Sequence, residues 1–314
     1  MKKILITGGS GFLGKELAKK LSSNNEVILG SRNNGLNRLA EDITGCKAIP
    51  LDITSLESVR DIVTRYEPQI IIHAAATKYV DLSEKQPFEC IDVNIVGSEN
   101  VARVAIDNNV ETVIGISTDK TAAPVGNIYG HTKAVMERLF CALDGVGDTN
   151  FSCVRFGNIA WSTGSVFPIW KRMTETKGLI ETTGPGMRRF FFSVSEASDL
   201  VIRCMKNQDK LHGKVLSQKM KSAQMSDLLD VWCNHYGPKR KVIDSRPGDK
   251  DDEYLIGILE NKNTTVQYFD QIEHFVIDFK ETSESYVKEP FSSKEAERLT
   301  EEEMLEIITS EPQL

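Results

Sequence analysis

The sequence contains no Cys-x-x-Cys pair and no His-Glu-x-x-His. Its six cysteines (Cys46, Cys90, Cys141, Cys153, Cys204 and Cys233) are scattered along the chain. Metal ligation needs close ligand pairs, and a disulfide framework needs a denser, smaller chain. The cysteines therefore read as reduced core thiols, with no metal site. No apolar run approaches the roughly 20 residues that span a bilayer. The apolar stretch after Met1-Lys2-Lys3 meets glycine too soon for a signal peptide and reads as a strand. Basic residues are also in deficit, 38 Lys and Arg against 45 Asp and Glu, for a net charge of −7 and a pI near 5.4. A general nucleic-acid binder would carry a basic face. Local phosphate binding stays open, because a helix N-terminus and a few cations suffice for it. Internal repeats and low-complexity linkers are absent as well. What remains is an ordinary globular composition, 40% hydrophobic and 26% charged over 314 residues, enough for one large or two modest domains.

Short runs rich in Ile and Val occur at 4–7, 27–29, 70–73 and 113–117, each ending at a turn signal. Amphipathic stretches at 14–21, 56–66, 94–108 and 132–143 lie between and after them. This alternation predicts a parallel sheet with helices on both faces, and burial of both faces explains why the strands are continuously apolar. Residues 159–190 carry Gly, Pro and Trp at irregular positions and read as loops and short elements. A helix at 196–205 and a strand at 214–217 are expected to return to the sheet, and the pattern from 220 onward is mixed. Thr300-Glu301-Glu302-Glu303 has the spacing of a capping box at the start of an acidic helix.

The first strand runs directly into Gly8-Gly9-Ser10-Gly11-Phe12-Leu13-Gly14. Gly8, Gly11 and Gly14 are spaced for a tight turn, close approach to a pyrophosphate and packing of helix on strand. The helix N-terminus adds free N–H groups and a positive dipole end. At the end of the second strand an acidic residue would bind the ribose 2′-hydroxyl of NAD. The chain reads Leu29-Gly30-Ser31-Arg32-Asn33 there, without a carboxylate. Ser31 and the planar donor fork of Arg32 suit a 2′-phosphate, which favours NADP over NAD.

Tyr129 and Lys133 are four residues apart, so on a helix they share a face. A phenol with a pKa of about 10 is a poor base at neutral pH. A cation about 4 Å away contributes about 4 kcal/mol at an effective dielectric near 20, which would lower that pKa by about three units. Tyr129 is therefore expected to exchange a proton with a sugar or alcohol hydroxyl. Ser117-Thr118-Asp119-Lys120, at the end of the preceding strand, adds a hydroxyl, a carboxyl and an amine nearby.

Together these residues resemble the extended short-chain dehydrogenase/reductases that modify nucleotide sugars, and within them the UDP-N-acetylglucosamine 4,6-dehydratases of bacterial surface-glycan synthesis. The resemblance rests on His73-Ala74-Ala75-Ala76-Thr77-Lys78, Ser117 to Lys120 with Pro124, and Asn127 to Lys133. It continues through Val154-Arg155-Phe156-Gly157-Asn158, Gly164 to Pro168, Arg189-Phe190-Phe191, Arg246-Pro247-Gly248-Asp249-Lys250 and Leu299 to Met304. It implies a Rossmann-type doubly wound parallel sheet in an NADP-binding domain, 1–158, with 190–218 returning to the sheet. Residues 159–189 and 219–314 would form a smaller, mixed nucleotide-sugar-binding domain. Thr7, Gly8, Ser10, Gly11, Phe12, Leu13, Gly14, Ser31, Arg32, Asp52, Ile53, Ala74, Ala75, Ala76, Tyr129 and Lys133 would surround the cofactor. Lys78, Asn158, Ser165, Arg189, Arg246 and Glu253 would hold the UDP-sugar.

The implied chemistry oxidises sugar carbon 4, which makes the carbon 5 proton acidic, then eliminates water across carbons 5 and 6 and returns the hydride to carbon 6. Tyr129 would take the carbon 4 hydroxyl proton with help from Thr118. Lys120 would be the carbon 5 base and Asp119 the acid at carbon 6. Asp119 as a carboxylate would oppose deprotonation of Lys120, so the two titrate as a unit. Related enzymes that retain configuration at carbon 5 often carry Asp-Glu here, so the Asp-Lys pair implies inversion. The chain departs from the family pattern at Arg188, at His131 and at Asp251-Asp252, two acids near an expected diphosphate. Two alternatives stay open, a nucleotide-sugar 4-epimerase and a non-catalytic NADP-sensing regulator. Some family members have membrane-spanning N-terminal regions. This chain begins at the catalytic domain and resembles a soluble, cytoplasmic member that forms a homo-oligomer through 94–108 and 132–143.

Overall fold

A computed structural model describes residues 1–243 and 250–314. The alternating pattern folds as β1 (Lys3–Thr7), α1 (Phe12–Leu21), β2 (Glu26–Ser31), α2 (Asn34–Thr44), β3 (Lys47–Pro50), α3 (Leu56–Tyr66) and β4 (Ile70–His73). Next come α4 (Val80–Lys85), α5 (Pro87–Ile91), α6 (Gly97–Asp107), β5 (Thr112–Ile116), α7 (Ile128–Leu143) and β6 (Asn150–Arg155). These strands pair in parallel in the order β6-β5-β4-β1-β2-β3. The order reverses between β1 and β4, which opens a crevice at their carboxyl ends. Strand Val215–Gln218 adds in parallel beside β6. An antiparallel hairpin, Thr264–Phe269 and Ile272–Ile277, completes a sheet of nine strands.

Side-chain alternation sends Ile4 and Ile6 into one core and Leu5 into the other, all at most 1% exposed. That two-sided burial is the reason β1 shows no polar alternation. The helices begin where side chains satisfy free N–H groups. Asn33 accepts from Leu36, Ser55 from Ser58 and Asn127 from Gly130. The capping box at the tail forms with both arms, Thr300 and Glu303, at the start of helix Glu301–Thr309. The cysteines are all free, five of them buried. Among the described residues no helix is long and apolar enough to cross a membrane.

Two segments differ from their sequence reading. The stretch expected as one helix over 94–108 contains a π-helical turn, Asp92–Val96, ahead of α6. One extra residue in a turn leaves the apolar periodicity nearly unchanged, so the pattern does not reveal it. Residues expected as loops over 159–190 include the helix Val166–Lys177 and strands Leu179–Thr183 and Arg188–Phe192. Pro168 sits in that helix's first turn, where its missing N–H costs nothing. Phe167 and Trp170 bury their rings with Trp161 and Trp232 in a third core.

Candidate active site

A cleft of about 640 Å³ opens at the carboxyl ends of β1, β4, β5 and β6. Gly8, Ser10, Gly11, Phe12, Leu13, Gly14, Ser31, Arg32, Ile53, Ala74, Ala75, Ala76, Lys78, Thr118, Lys120, Tyr129, Lys133, Asn158 and Ser165 all line it. Thr7 and Asp52 do not. The Thr7 hydroxyl is bonded to His73 Nδ1 at 2.9 Å and accepts from the Ala75 N–H, so it braces the loop after β4 from beneath. The Asp52 carboxylate accepts from the Thr54 N–H and hydroxyl and closes a local turn. Arg246 lies outside the described residues.

The glycine loop is shaped by close approach. Gly8 adopts a φ of +68°, and a Cβ there would stand 2.7 Å from the Ala75 nitrogen. At Gly14 a Cβ would stand 2.5 Å from the Gly9 carbonyl oxygen, so α1 packs onto the loop without a side chain between. Gly11 is the N-cap of α1 without any side-chain cap, and the first turn has no acid. Its free N–H groups and dipole end therefore face the cleft ready for an anion.

Beside this loop Ser10 Oγ is 2.5 Å from Ser31 Oγ. Ser31 donates to Asn37 Oδ1, so Ser10 is the donor between the two serines. Asn37, buried on α2, also donates to the Ser31 and Ile49 carbonyls. It fixes the end of β2 against β3, a role no sequence spacing announces. Arg32 stays 55% exposed at the rim, 3.9 Å from Glu89.

The titratable groups meet at the other end. Asn127 starts α7, which puts Tyr129 in its first turn and Lys133 one turn on. Lys133 is buried, with Nζ 3.0 Å from Met136 Sδ, and burial lowers its pKa to about 8. The Tyr129 phenol is pushed up to about 12 by burial, and neighbouring Lys120 and Thr118 only partly oppose this. The expected lowering by Lys133 does not occur. Desolvation of the phenolate outweighs Coulomb attraction, and the cation acting on it is Lys120.

Thr118 caps the short turn Asp119–Thr121 and donates to Asp119 Oδ1 at 3.0 Å. Lys120 Nζ is 2.9 Å from Asp119 Oδ1 and 3.7 Å from Glu253 Oε1. Asp119 is fully buried and Glu253 nearly so, and neither forms part of the cleft lining itself. Burial opposes the charge on Lys120, but the two carboxylates outweigh it and raise its pKa above the ordinary lysine value. The pair is therefore no exposed surface ion pair: Lys120 lines the cleft and Asp119 lies buried behind it.

Several buried polar atoms have no partner among the described residues: Ser117 Oγ and Ser165 Oγ on the cleft residues, Asp119 Oδ2 and Glu253 Oε2 behind them. Orphaned buried donors and acceptors are costly, and a polar ligand would satisfy them. With the glycine cradle they fit a dinucleotide and a hydroxyl-rich second ligand. Asn158 and Ser165 line the cleft, and the Lys78 ammonium lies 5.9 Å from the Tyr79 ring centre. Arg189 does not line the cleft. Its guanidinium donates to the Arg188, Lys250 and Asp251 carbonyls. Of the two acids out of pattern, Asp252 pairs with Arg188, itself out of pattern, through both carboxylate oxygens at 2.5 and 2.6 Å, and Asp251 is exposed.

Sequence reading also missed Asn94, carried by the π-helical turn. Its amide holds the Thr77 N–H and carbonyl and the Thr132 hydroxyl, linking the loop after β4 to α7. The available signal is a polar Asn between Val93 and Ile95-Val96 in an apolar stretch.

The polysaccharide biosynthesis protein family matches residues 4–274. The chain is 31% identical over 330 aligned positions, 98% of it and 97% of the relative, to a UDP-N-acetylglucosamine 4,6-dehydratase (inverting) of Campylobacter jejuni. Among solved structures it is similar to Pen from Bacillus thuringiensis, with a TM-score of 0.90 and 27% identity over 99% of this chain and 97% of that one. The fold also resembles a Thermus thermophilus UDP-glucose 4-epimerase in complex with NAD, with a TM-score of 0.70 and 18% identity over 79% and 88% of the two chains. A Rossmann-type sheet, a glycine cradle opening on a Tyr-Lys helix, and a match spanning most of its length together make this chain a member of the polysaccharide biosynthesis protein family.

Proposed function

We propose that the chain is an enzyme, a UDP-N-acetylglucosamine 4,6-dehydratase that uses NADP and inverts carbon 5. The observation that carries the reading is the buried Asp119–Lys120 pair beside Tyr129. A 4-epimerase needs Thr118, Tyr129 and Lys133 but has no step for a carboxyl and an amine held together. A bound nicotinamide would supply acceptance of the carbon 4 hydride and its return at carbon 6.

The chain's own residues would handle the protons. Tyr129 must first release its phenolic proton to solvent, and as the phenolate it then takes the carbon 4 hydroxyl proton, with Thr118 orienting that hydroxyl. Lys120 starts as an ammonium. Passing one proton across 2.9 Å to Asp119 creates a free amine and a carboxylic acid in one move. The amine is then the base at carbon 5, and the acid protonates the hydroxyl that leaves carbon 6 as water. Once carbon 6 has regained the hydride, carbon 5 takes up a proton on the face opposite Lys120, which completes the product and inverts that carbon. Lys133 and the α1 N-terminus would hold the cofactor's ribose and pyrophosphate, while Ser31 and Arg32 would hold its 2′-phosphate. Lys78, Asn158 and Ser165 hold the sugar nucleotide.

The test is product mass. Incubation with UDP-N-acetylglucosamine and NADP should yield a nucleotide sugar lighter by one water. An unchanged mass with altered stereochemistry at carbon 4 would establish the epimerase instead.

A further inference from the structure

Glu253 sits in a segment that the rest of the protein works to hold. The Arg188 side chain grips Asp252 through two hydrogen bonds, and the Arg188 N–H donates to the Asp251 carbonyl. Arg189 binds the Lys250 and Asp251 carbonyls, and Lys250 reaches the Pro124 carbonyl beside the Lys120 turn. The Ser293 hydroxyl donates to Asp252 and accepts from the Glu253 N–H. These contacts deliver one side chain, Glu253, 97% buried, to 3.7 Å from Lys120 Nζ with its second oxygen unpartnered among the described residues.

A carboxylate sunk this deep beside a cation that already has Asp119 is not needed to neutralise it. From this arrangement we propose that Glu253 is a positioning residue that sets the protonation of Lys120, held in place by the Arg188–Asp252 ion pair. The inference rests on the dehydratase reading for its use in catalysis, but not for its test. Among the described residues, the charged and titratable groups facing this point are Asp119, Lys120, Tyr129, Arg189 and Lys250. Burial raises the Glu253 pKa, and Lys120 opposes that rise. While Glu253 is ionised it strengthens the hold of Lys120 on its proton. When Glu253 takes up a proton, that hold weakens and transfer from Lys120 to Asp119 becomes easier. The chain thus has a lever on its own base that a lone Asp-Lys pair lacks.

The test reads Lys120 directly. The full chain is labelled with acetic anhydride at one mildly alkaline pH, and the Lys120 peptide is quantified by mass spectrometry against exposed lysines of the same digest. Only the neutral amine reacts, so Glu253→Gln should label at least about ten-fold faster than wild type, equivalent to one unit or more of lost proton affinity. Arg188→Met should change the rate in the same direction, and Arg188→Lys should restore it. Glu253→Gln fills the same space, so a purely structural role leaves the labelling rate unchanged, and that result overturns the proposal. Should Glu253→Gln not fold, Glu253→Asp, which withdraws the charge by one methylene, must show a smaller acceleration, and none would equally overturn it. In active enzyme the alkaline rise of kcat should move to lower pH in Glu253→Gln with KM unchanged. Labelling needs no turnover: accelerated labelling in a protein that never releases water would defeat the dehydratase reading and leave this inference standing.

Discussion

Gly130 lies against the Lys120 carbonyl so closely that a Cβ on it would stand 2.3 Å from that oxygen and 2.9 Å from Val125. The first turn of α7, which carries Tyr129, is thereby pressed onto the turn that carries Asp119 and Lys120. Alanine is the better helix former by about 1 kcal/mol. Gly130→Ala should nonetheless lower kcat at least about 100-fold, because the backbone must part and reacting groups shift by fractions of an ångström. Unchanged circular dichroism with unchanged kcat would refute the close-approach argument.

Tyr129 and Lys120 serve separate steps. Lys120→Ala should abolish the dehydrated product while leaving transient reduction of the cofactor visible by absorbance. Tyr129→Phe should suppress the reduction itself, each variant losing about 10²–10⁴-fold in overall rate. Equal loss of both signals in Lys120→Ala would contradict the division of roles.

Arg32 stands half-exposed at the rim, directly after β2, and among the described residues its one ion-pair partner is Glu89 at 3.9 Å. A guanidinium there can pair two donors with a phosphate. Arg32→Ala should weaken NADP binding by about ten-fold or more in a fluorescence titration and leave NAD binding unchanged. Equal weakening of both would show that Arg32 does not read the 2′-phosphate.

His73 is fully buried between the Thr7 and Ser98 hydroxyls, and burial followed by the Lys133 charge lowers its pKa from 6.5 to about 3. The unfolded chain therefore binds one more proton than the native state between those values. The contribution to stability is fully present above pH 6.5 and is lost as pH falls toward 3, by up to about 1.4 kcal/mol per unit. Urea unfolding of wild type and His73→Gln, compared at pH 7 and pH 5, should show a steeper acid loss in wild type.

Arg155 is fully buried, with its guanidinium 2.6 Å from Glu137 on α7 and 2.8 Å from Glu260. It also donates to the Leu255 carbonyl, which ties β6 and α7 to the strand that follows Glu253. Removing one partner leaves a buried charge under-compensated. Glu260→Gln should cost about 3–5 kcal/mol in denaturant unfolding. A loss below about 1 kcal/mol would mean that solvent reaches this network.

Local chemistry in the sequence already determined the β1–glycine loop–α1 cradle, the parallel wind and the Tyr129–Lys133 helix. Each depends on neighbours in the chain: a turn that only glycine makes, strands apolar on both faces, two side chains one helical turn apart. The helix hidden in 159–190 and the π-helical turn at Asp92–Val96 were not legible, because a proline in a first turn looks like a break and a single inserted residue does not disturb periodicity. The ionisation of the site was misread for a related reason. Spacing gave the Tyr129–Lys133 distance along a helix but not the burial that raises the phenol, nor the approach of Lys120. Arg188 and Asp252 looked like two unrelated departures 64 residues apart, and only folding made them one ion pair. Glu253 reaches Lys120 across more than a hundred residues for the same reason. Short-range spacing is written in the chain, whereas desolvation and long-range pairing exist only once the chain has closed around them.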